Sequence, residues 1–152
     1  MSEYNFVTKF INCYNKNNNV NSAIQPKGKN QSKYADCEII RENEIVKVEA
    51  KILKDTHSNS TNFYNLMGEI IGTCSKESLF QHNGRLITQT CVAFLIPHNS
   101  KYIFDKLWQK KIEPSNGFKY CSNFGVKYLI SFDVQNETIR YFSYCQKTNR
   151  WV

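Results

Sequence analysis

The chain has 152 residues, 41% of them hydrophobic, enough for one domain with its own core and too apolar for a disordered segment. A net charge of +7 favours acidic partners, nucleic acid first among them, although no dense Lys/Arg block appears. No run nears the ~18 apolar residues of a membrane span, and Met1-Ser2-Glu3-Tyr4-Asn5 lacks the basic-then-apolar order of a secretory leader, so the expectation is no membrane partner and a cytoplasmic location.

In chain order, residues 3–15 place Phe6, Val7, Phe10, Ile11 and Tyr14 at helical spacing, which predicts an amphipathic helix ended by Asn15-Lys16-Asn17-Asn18-Asn19. A loop through Pro26-Lys27-Gly28 follows. Residues 34–40 and 45–53 read as two strands joined by the polar turn Arg41-Glu42-Asn43-Glu44. The polar loop His57-Ser58-Asn59-Ser60-Thr61 opens a second helix over residues 61–75, with Phe63, Leu66, Met67, Ile70, Ile71 and Cys74 on its apolar stripe. Residues 76–90 read as a short helix and a turn at Asn83-Gly84. Thr90 to Ile96 is nearly all apolar, the pattern of a strand buried on both faces, and Pro97 stops it.

A helix over residues 100–110 is predicted next, then a turn at Pro114-Ser115-Asn116-Gly117 and a helical turn over 118–124. Residues 126–132 and 138–144 form a strand pair around Gln135-Asn136-Glu137. With neither repeat nor linker, residues 1–152 read as a single domain of the α/β class, a mixed sheet with helices on both faces. The six cysteines, Cys13, Cys37, Cys74, Cys91, Cys121 and Cys145, show no C-x-x-C spacing and are expected as free thiols.

The chemistry-bearing residues lie on the first strand pair. Strand alternation projects Glu49 and Lys51 together, while Val46, Val48, Ala50 and Ile52 line the opposite, apolar face. Antiparallel pairing through the turn brings Asp36 beside them. Two carboxylates next to one ammonium can hold a hard divalent cation and handle a proton. Read without further context, Asp36 is equally a turn carboxylate, and Glu49 with Lys51 an exposed same-face ion pair worth a few tenths of a kcal/mol.

Asp36 followed by Glu49-Ala50-Lys51 resembles the signature of the PD-(D/E)xK nuclease superfamily, the restriction-endonuclease-like fold, with Ala35 where the usual proline stands. Three further stretches are similar in kind: Asn65 to Ile71 as the helix after the motif, Val92 to Pro97 as the next central strand, and Phe124 to Ser131 as the late strand. The resemblance spans roughly residues 34–134. It implies a metal-dependent nuclease that hydrolyses phosphodiester bonds, of DNA before RNA. Asp36, Glu49 and Lys51 would be catalytic. Mg²⁺, or Mn²⁺ in its place, would be held by Asp36, Glu49 and the Ala50 carbonyl. A homodimer is a further implication.

Other polar residues are read more plainly. Glu3 and Glu69 belong to solvated helix faces, although an acidic residue on the first helix joins the cluster in some members of the family. Glu38 shares the face of Asp36 and either joins the metal or caps the sheet. His57, His82 and His98 belong to no triad, and Cys37 has no histidine to make it a nucleophile. Lys33, Lys47, Lys54, Lys101, Lys110 and Lys111 are candidate phosphate contacts, and Tyr64, Tyr102 and Trp108 candidate base-stacking rings when they are not core. The alternative to an enzyme is a catalytically inactive binding, immunity or assembly protein on the same fold, or an unrelated α/β binding domain.

Overall fold

Ser2 starts the first helix by accepting a hydrogen bond from the Asn5 N–H at 3.1 Å, and Glu3 in the first turn suits the positive end of the dipole. That helix, α1, runs Glu3–Asn17 and buries the predicted stripe from Phe6 to Tyr14. The computed structural model describes residues 1–19, 21–27, 33–53, 59–80 and 89–152.

Strands β1 (Ala23–Ile24), β2 (Cys37–Arg41) and β3 (Glu44–Ala50) form an antiparallel meander. Glu42 and Asn43, with φ of 52° and 63°, make the two-residue loop between β2 and β3, whose left-handed residues match the strand twist. Helix α2 (Asn59–Thr73) leads to β4 (Gln89–Pro97). A short 3₁₀ turn, His98–Ser100, then enters α3 (Lys101–Lys111) and α4 (Pro114–Phe124) before β5 (Val126–Asp133) and β6 (Thr138–Phe142). These strands form a six-stranded mixed sheet in the order β1-β2-β3-β4-β5-β6, in which β3, β4 and β5 are parallel.

The crossovers between parallel strands carry α2 and then α3 with α4. Phe63, Leu66, Phe104, Trp108 and Trp151 pack with Phe94 and Leu129 on one face of the sheet. On the other face α1 covers Ile39, Val46, Val48, Ala50, Ala93 and Leu95. Both faces are therefore helix-covered, as an α/β pattern requires, and Cys91 to Ile96 of β4 is buried throughout. Among the described residues no helix is long and apolar enough to cross a membrane.

The boundaries differ from expectation in three places. Pro114 to Gly117 is not a turn but the first turn of α4. A proline at N1 loses no helical hydrogen bond and has the helical φ built in. That helix ends on Gly125, whose φ of 65° is the left-handed conformation that a glycine adopts without strain. The last predicted strand breaks at Ser143: Tyr144–Cys145 (β7) leaves β5 and pairs with Arg150–Trp151 (β8) in a separate hairpin. Strand β3 ends at Ala50, so Lys51, Ile52 and Leu53 continue from it without strand pairing of their own, although the Lys51 N–H still donates to the Leu95 carbonyl at 3.0 Å. The expected turn at Asn83-Gly84 and residues His57, His82 and Lys54 lie outside the described residues.

Candidate metal centre

The register of β2 on β3 sets the site. Glu38 stands opposite Lys47 and Cys37 opposite Val48, so Asp36, one residue before β2, lies level with Glu49. Glu38, Lys47 and Glu49 share the face that α2 covers; Val46, Val48 and Ala50 face α1, as alternation predicts. The Ala50 N–H donates to Asp36 Oδ2 at 2.8 Å and fixes that carboxylate at the strand exit.

Asp36, Glu49 and Glu69 each offer a carboxylate oxygen, and the three oxygens lie within 4.8 Å of one another. Ligands 2.0–2.1 Å from an octahedral ion stand about 2.9 to 4.2 Å apart, so a small side-chain adjustment closes this set on a divalent ion. The donors are hard oxygens with no imidazole or thiolate among them, which suits Mg²⁺ or Mn²⁺ over Zn²⁺. Cys37, adjacent in sequence, faces the other core and is buried. Lys51 Nζ stands 3.5 Å from Glu69 Oε1 and 3.9 Å from Glu3 Oε2, while Lys76 Nζ stands 3.2 Å from Glu49 Oε1. Four carboxylates thus meet two ammonium groups, and the surplus is negative.

Glu49 is the group most displaced from ordinary behaviour. Burial first, and the Asp36 charge second, push its carboxyl up to about 8. The Thr73 hydroxyl and the Lys76 charge oppose that push. Thr73 Oγ1 lies 2.6 Å from Glu49 Oε1 and 2.7 Å from the Glu69 carbonyl, yet a hydroxyl has one proton to give. That one proton is given to Glu49 or to the carbonyl, and where Thr73 donates to Glu49 it favours the ionised carboxylate. Glu3 is raised as well, by burial, with Lys51 opposing.

The structure therefore brings Asp36, Glu49, Lys51 and the backbone of Ala50 together, with Ala50 engaged through its N–H. Glu69 and Glu3, expected on solvated faces, both turn to Lys51; their side chains remain 42% and 40% exposed. Glu38 stays out of the cluster. It is fully buried and accepts from Ser78 Oγ at 2.6 Å and from the Leu79 N–H at 2.7 Å. Thr73 and Lys76 were not anticipated. Thr73 follows Glu69 by four residues on one helix face, a readable signal; Lys76 sits in the loop after α2 and carries none.

Two candidate nucleic-acid contacts are corrected. Lys47 is buried and donates to the carbonyls of Cys74 and Lys76 at 3.3 and 2.5 Å, so it has no free face for a phosphate. Trp108 is core, its indole N–H bound to Asn149 Oδ1 at 3.0 Å. Lys101 is engaged by Asp105 and by the Trp151 carbonyl. Lys33 and Lys110 are exposed, as are Tyr64 and Tyr102. His98 faces Asp133 at 3.7 Å in a cleft at the ends of β4 and β5. All six cysteines are free thiols.

This arrangement of strands and helices has a counterpart among solved structures. A crystal structure of an XisH family protein from Nostoc punctiforme matches 89% of this chain over 98% of its own, with a TM-score of 0.50 and 14% identity. The likeness shows a common fold. No protein-family model matches the chain, and no curated protein matches it in sequence.

Proposed function

We propose that the chain is a metal-dependent nuclease that hydrolyses phosphodiester bonds of nucleic acid, DNA before RNA, with Asp36, Glu49 and Lys51 as its catalytic residues. One observation carries the reading: three carboxylate oxygens within 4.8 Å, from the residue before β2, from β3 and from α2, converge beside Lys51 at the exit of a central strand. The resemblance of Asp36 and Glu49-Ala50-Lys51 to the nuclease signature supports it, and so does the fold shared with a solved structure.

Asp36, Glu49 and Glu69 would hold Mg²⁺, with Mn²⁺ as a substitute and the Ala50 carbonyl as a further ligand. The ion, when bound, supplies Lewis-acid stabilisation of phosphate charge and a more acidic water. The chain's own residues do the rest. Asp36 is pinned beside Glu49 by the Ala50 N–H. Lys51, held between Glu69 and Glu3, orients the attacking water and balances charge that builds on the phosphorus oxygens. The positive charge of the chain and its exposed lysines would supply phosphate contacts of no sequence preference.

The test is cleavage of supercoiled plasmid and of single-stranded oligonucleotides in Mg²⁺ or Mn²⁺, with a chelator control. Lys51→Ala is expected to lose at least about 100-fold in rate while keeping its circular dichroism and its metal binding. Nucleic-acid binding by a folded, metal-loaded protein without cleavage would instead favour a non-catalytic binding or assembly protein.

A further inference from the structure

Glu49 is 2% exposed, and among the described residues Lys76 is the one cationic side chain within 4.0 Å of it. Lys51, the lysine of the motif, is taken up by Glu69 and Glu3 instead. The two ammonium groups are thus divided between two parts of the acidic cluster.

The segment that carries Lys76 is strapped to the sheet. Lys47 donates to the carbonyls of Cys74 and Lys76, at 3.3 and 2.5 Å, and Glu38 accepts from Ser78 Oγ and from the Leu79 N–H at 2.6 and 2.7 Å. Phe80 seals the far end at 1% exposure. An apolar anchor such as Phe80 would be enough to hold a loop down. Two buried charged side chains, opposite each other on β2 and β3, do more: they fix which residue of the loop stands over Glu49. The backbone of Lys76 is therefore held in place, while its side chain, 27% exposed, keeps access to water.

We propose that Lys76 is a resident counter-cation that competes with the divalent ion for Glu49, so that this loop, outside the motif, sets how tightly the site takes metal. The inference rests on the metal reading above. It makes Lys76 a positioning residue, one that acts on the ion through Glu49. An ammonium on a ligand oxygen lies about 6 Å or less from an ion on the same carboxylate, and repulsion between charges of +2 and +1 at that range is worth about tenfold in affinity even at the dielectric constant of water.

The experiment is isothermal titration of Mg²⁺ into the full chain, from pH 7 to 9 so that proton competition is read separately from the loss of the ammonium. Lys76→Met is expected to bind about tenfold more tightly than the parent at the alkaline end, and Lys76→Arg, which keeps the charge, within about twofold of it. If Lys76→Met loses its near-UV circular dichroism, Lys76→Gln takes its place. Equal or weaker binding by the neutral variants at pH 9 overturns the inference and leaves the metal site standing. No Mg²⁺ binding by the parent or by any variant overturns both. Binding by the neutral variants alone supports both, since the ammonium would then be shown to exclude the ion.

Discussion

Glu49→Gln tests the electrostatics of the site without any need for the substrate. The Glu49 carboxyl is pushed from 4.5 to about 8 by burial and by Asp36. Between those values the folded protein binds a proton that the unfolded chain has released, so stability is fully present below about pH 4.5 and is lost as pH rises through about 8. At about 1.36 kcal/mol per unit the loss approaches 4 to 5 kcal/mol, and less where Asp36 shares the same proton. For a chain of this length about 2 to 4 °C accompanies each kcal/mol, so the melting temperature in chelator is expected to fall by on the order of 10 °C from pH 5 to pH 9. Glu49→Gln keeps the shape and the acceptor for Thr73 and Lys76 but has nothing to ionise. It is expected to melt above the parent at pH 9, with a flatter pH profile. Excess Mg²⁺ should raise the parent's melting temperature at pH 9, by about 2.7 kcal/mol at 100-fold over Kd, and leave Glu49→Gln unmoved. Glu3 and Glu38 are raised in the same direction, so the difference between parent and variant is the quantity to read. Parallel pH profiles for the two proteins, or equal Mg²⁺ stabilisation of both, would refute the argument.

Two further predictions concern the frame. Glu38→Ala removes the acceptor of the Ser78 hydroxyl and of the Leu79 N–H, at a cost of about 1 to 3 kcal/mol for a buried donor left unpaired; urea titration reads the loss of stability, and faster amide exchange at Leu79 the freed N–H. Gly117→Ala places a Cβ 2.8 Å from Tyr144 Cζ and 3.1 Å from Trp108 Cζ2, and Tyr144 is itself tied to Asn149 at 2.6 Å. Destabilisation of about 1 to 3 kcal/mol is expected by thermal melting, against the gain that alanine normally brings to a helix.

The parts of the fold that were readable from sequence are those fixed by local periodicity. Helix α1 and the alternation of β3 are written in side-chain spacing, and the apolar run of β4 announced its double burial. The early turns of α4 were missed because Pro-Ser-Asn-Gly is turn chemistry and helix-start chemistry alike, and the following residues decide between them. The break after Phe142 was missed because β7 pairs with a strand beyond the window in which alternation is judged. The same division holds in the site. Asp36, Glu49 and Lys51 follow from strand pairing across one short loop, a local constraint. Glu69 and Lys76 arrive by the packing of α2 and of the loop behind it. Glu69 alternates with apolar neighbours as any solvated residue does, and nothing in its own helix records that Lys51 waits 3.5 Å away.

One comparison within the sheet sets a pair of opposite charges beside a pair of like charges. On the same face of β2 and β3, two successive cross-strand positions are occupied by ionisable residues: Glu38 opposite Lys47, and Asp36 level with Glu49. The first is a pair of opposite sign whose members hydrogen-bond to Ser78, Leu79, Cys74 and Lys76 and attract each other, although burial still raises the Glu38 carboxyl and lowers the Lys47 ammonium. The second is a like-charge pair, which is destabilising when directly opposed. Lys76 offsets Glu49 in part, while burial first and the Asp36 charge second push the Glu49 carboxyl up to about 8. If stability were the sole demand on this position, an apolar residue or an amide in place of Glu49 would satisfy it better, because Glu49 is 2% exposed and lies beside a like charge. The imbalance lies one residue pair from a balanced arrangement, at the exit of a central strand, and a bound cation is the simplest partner that would relieve it.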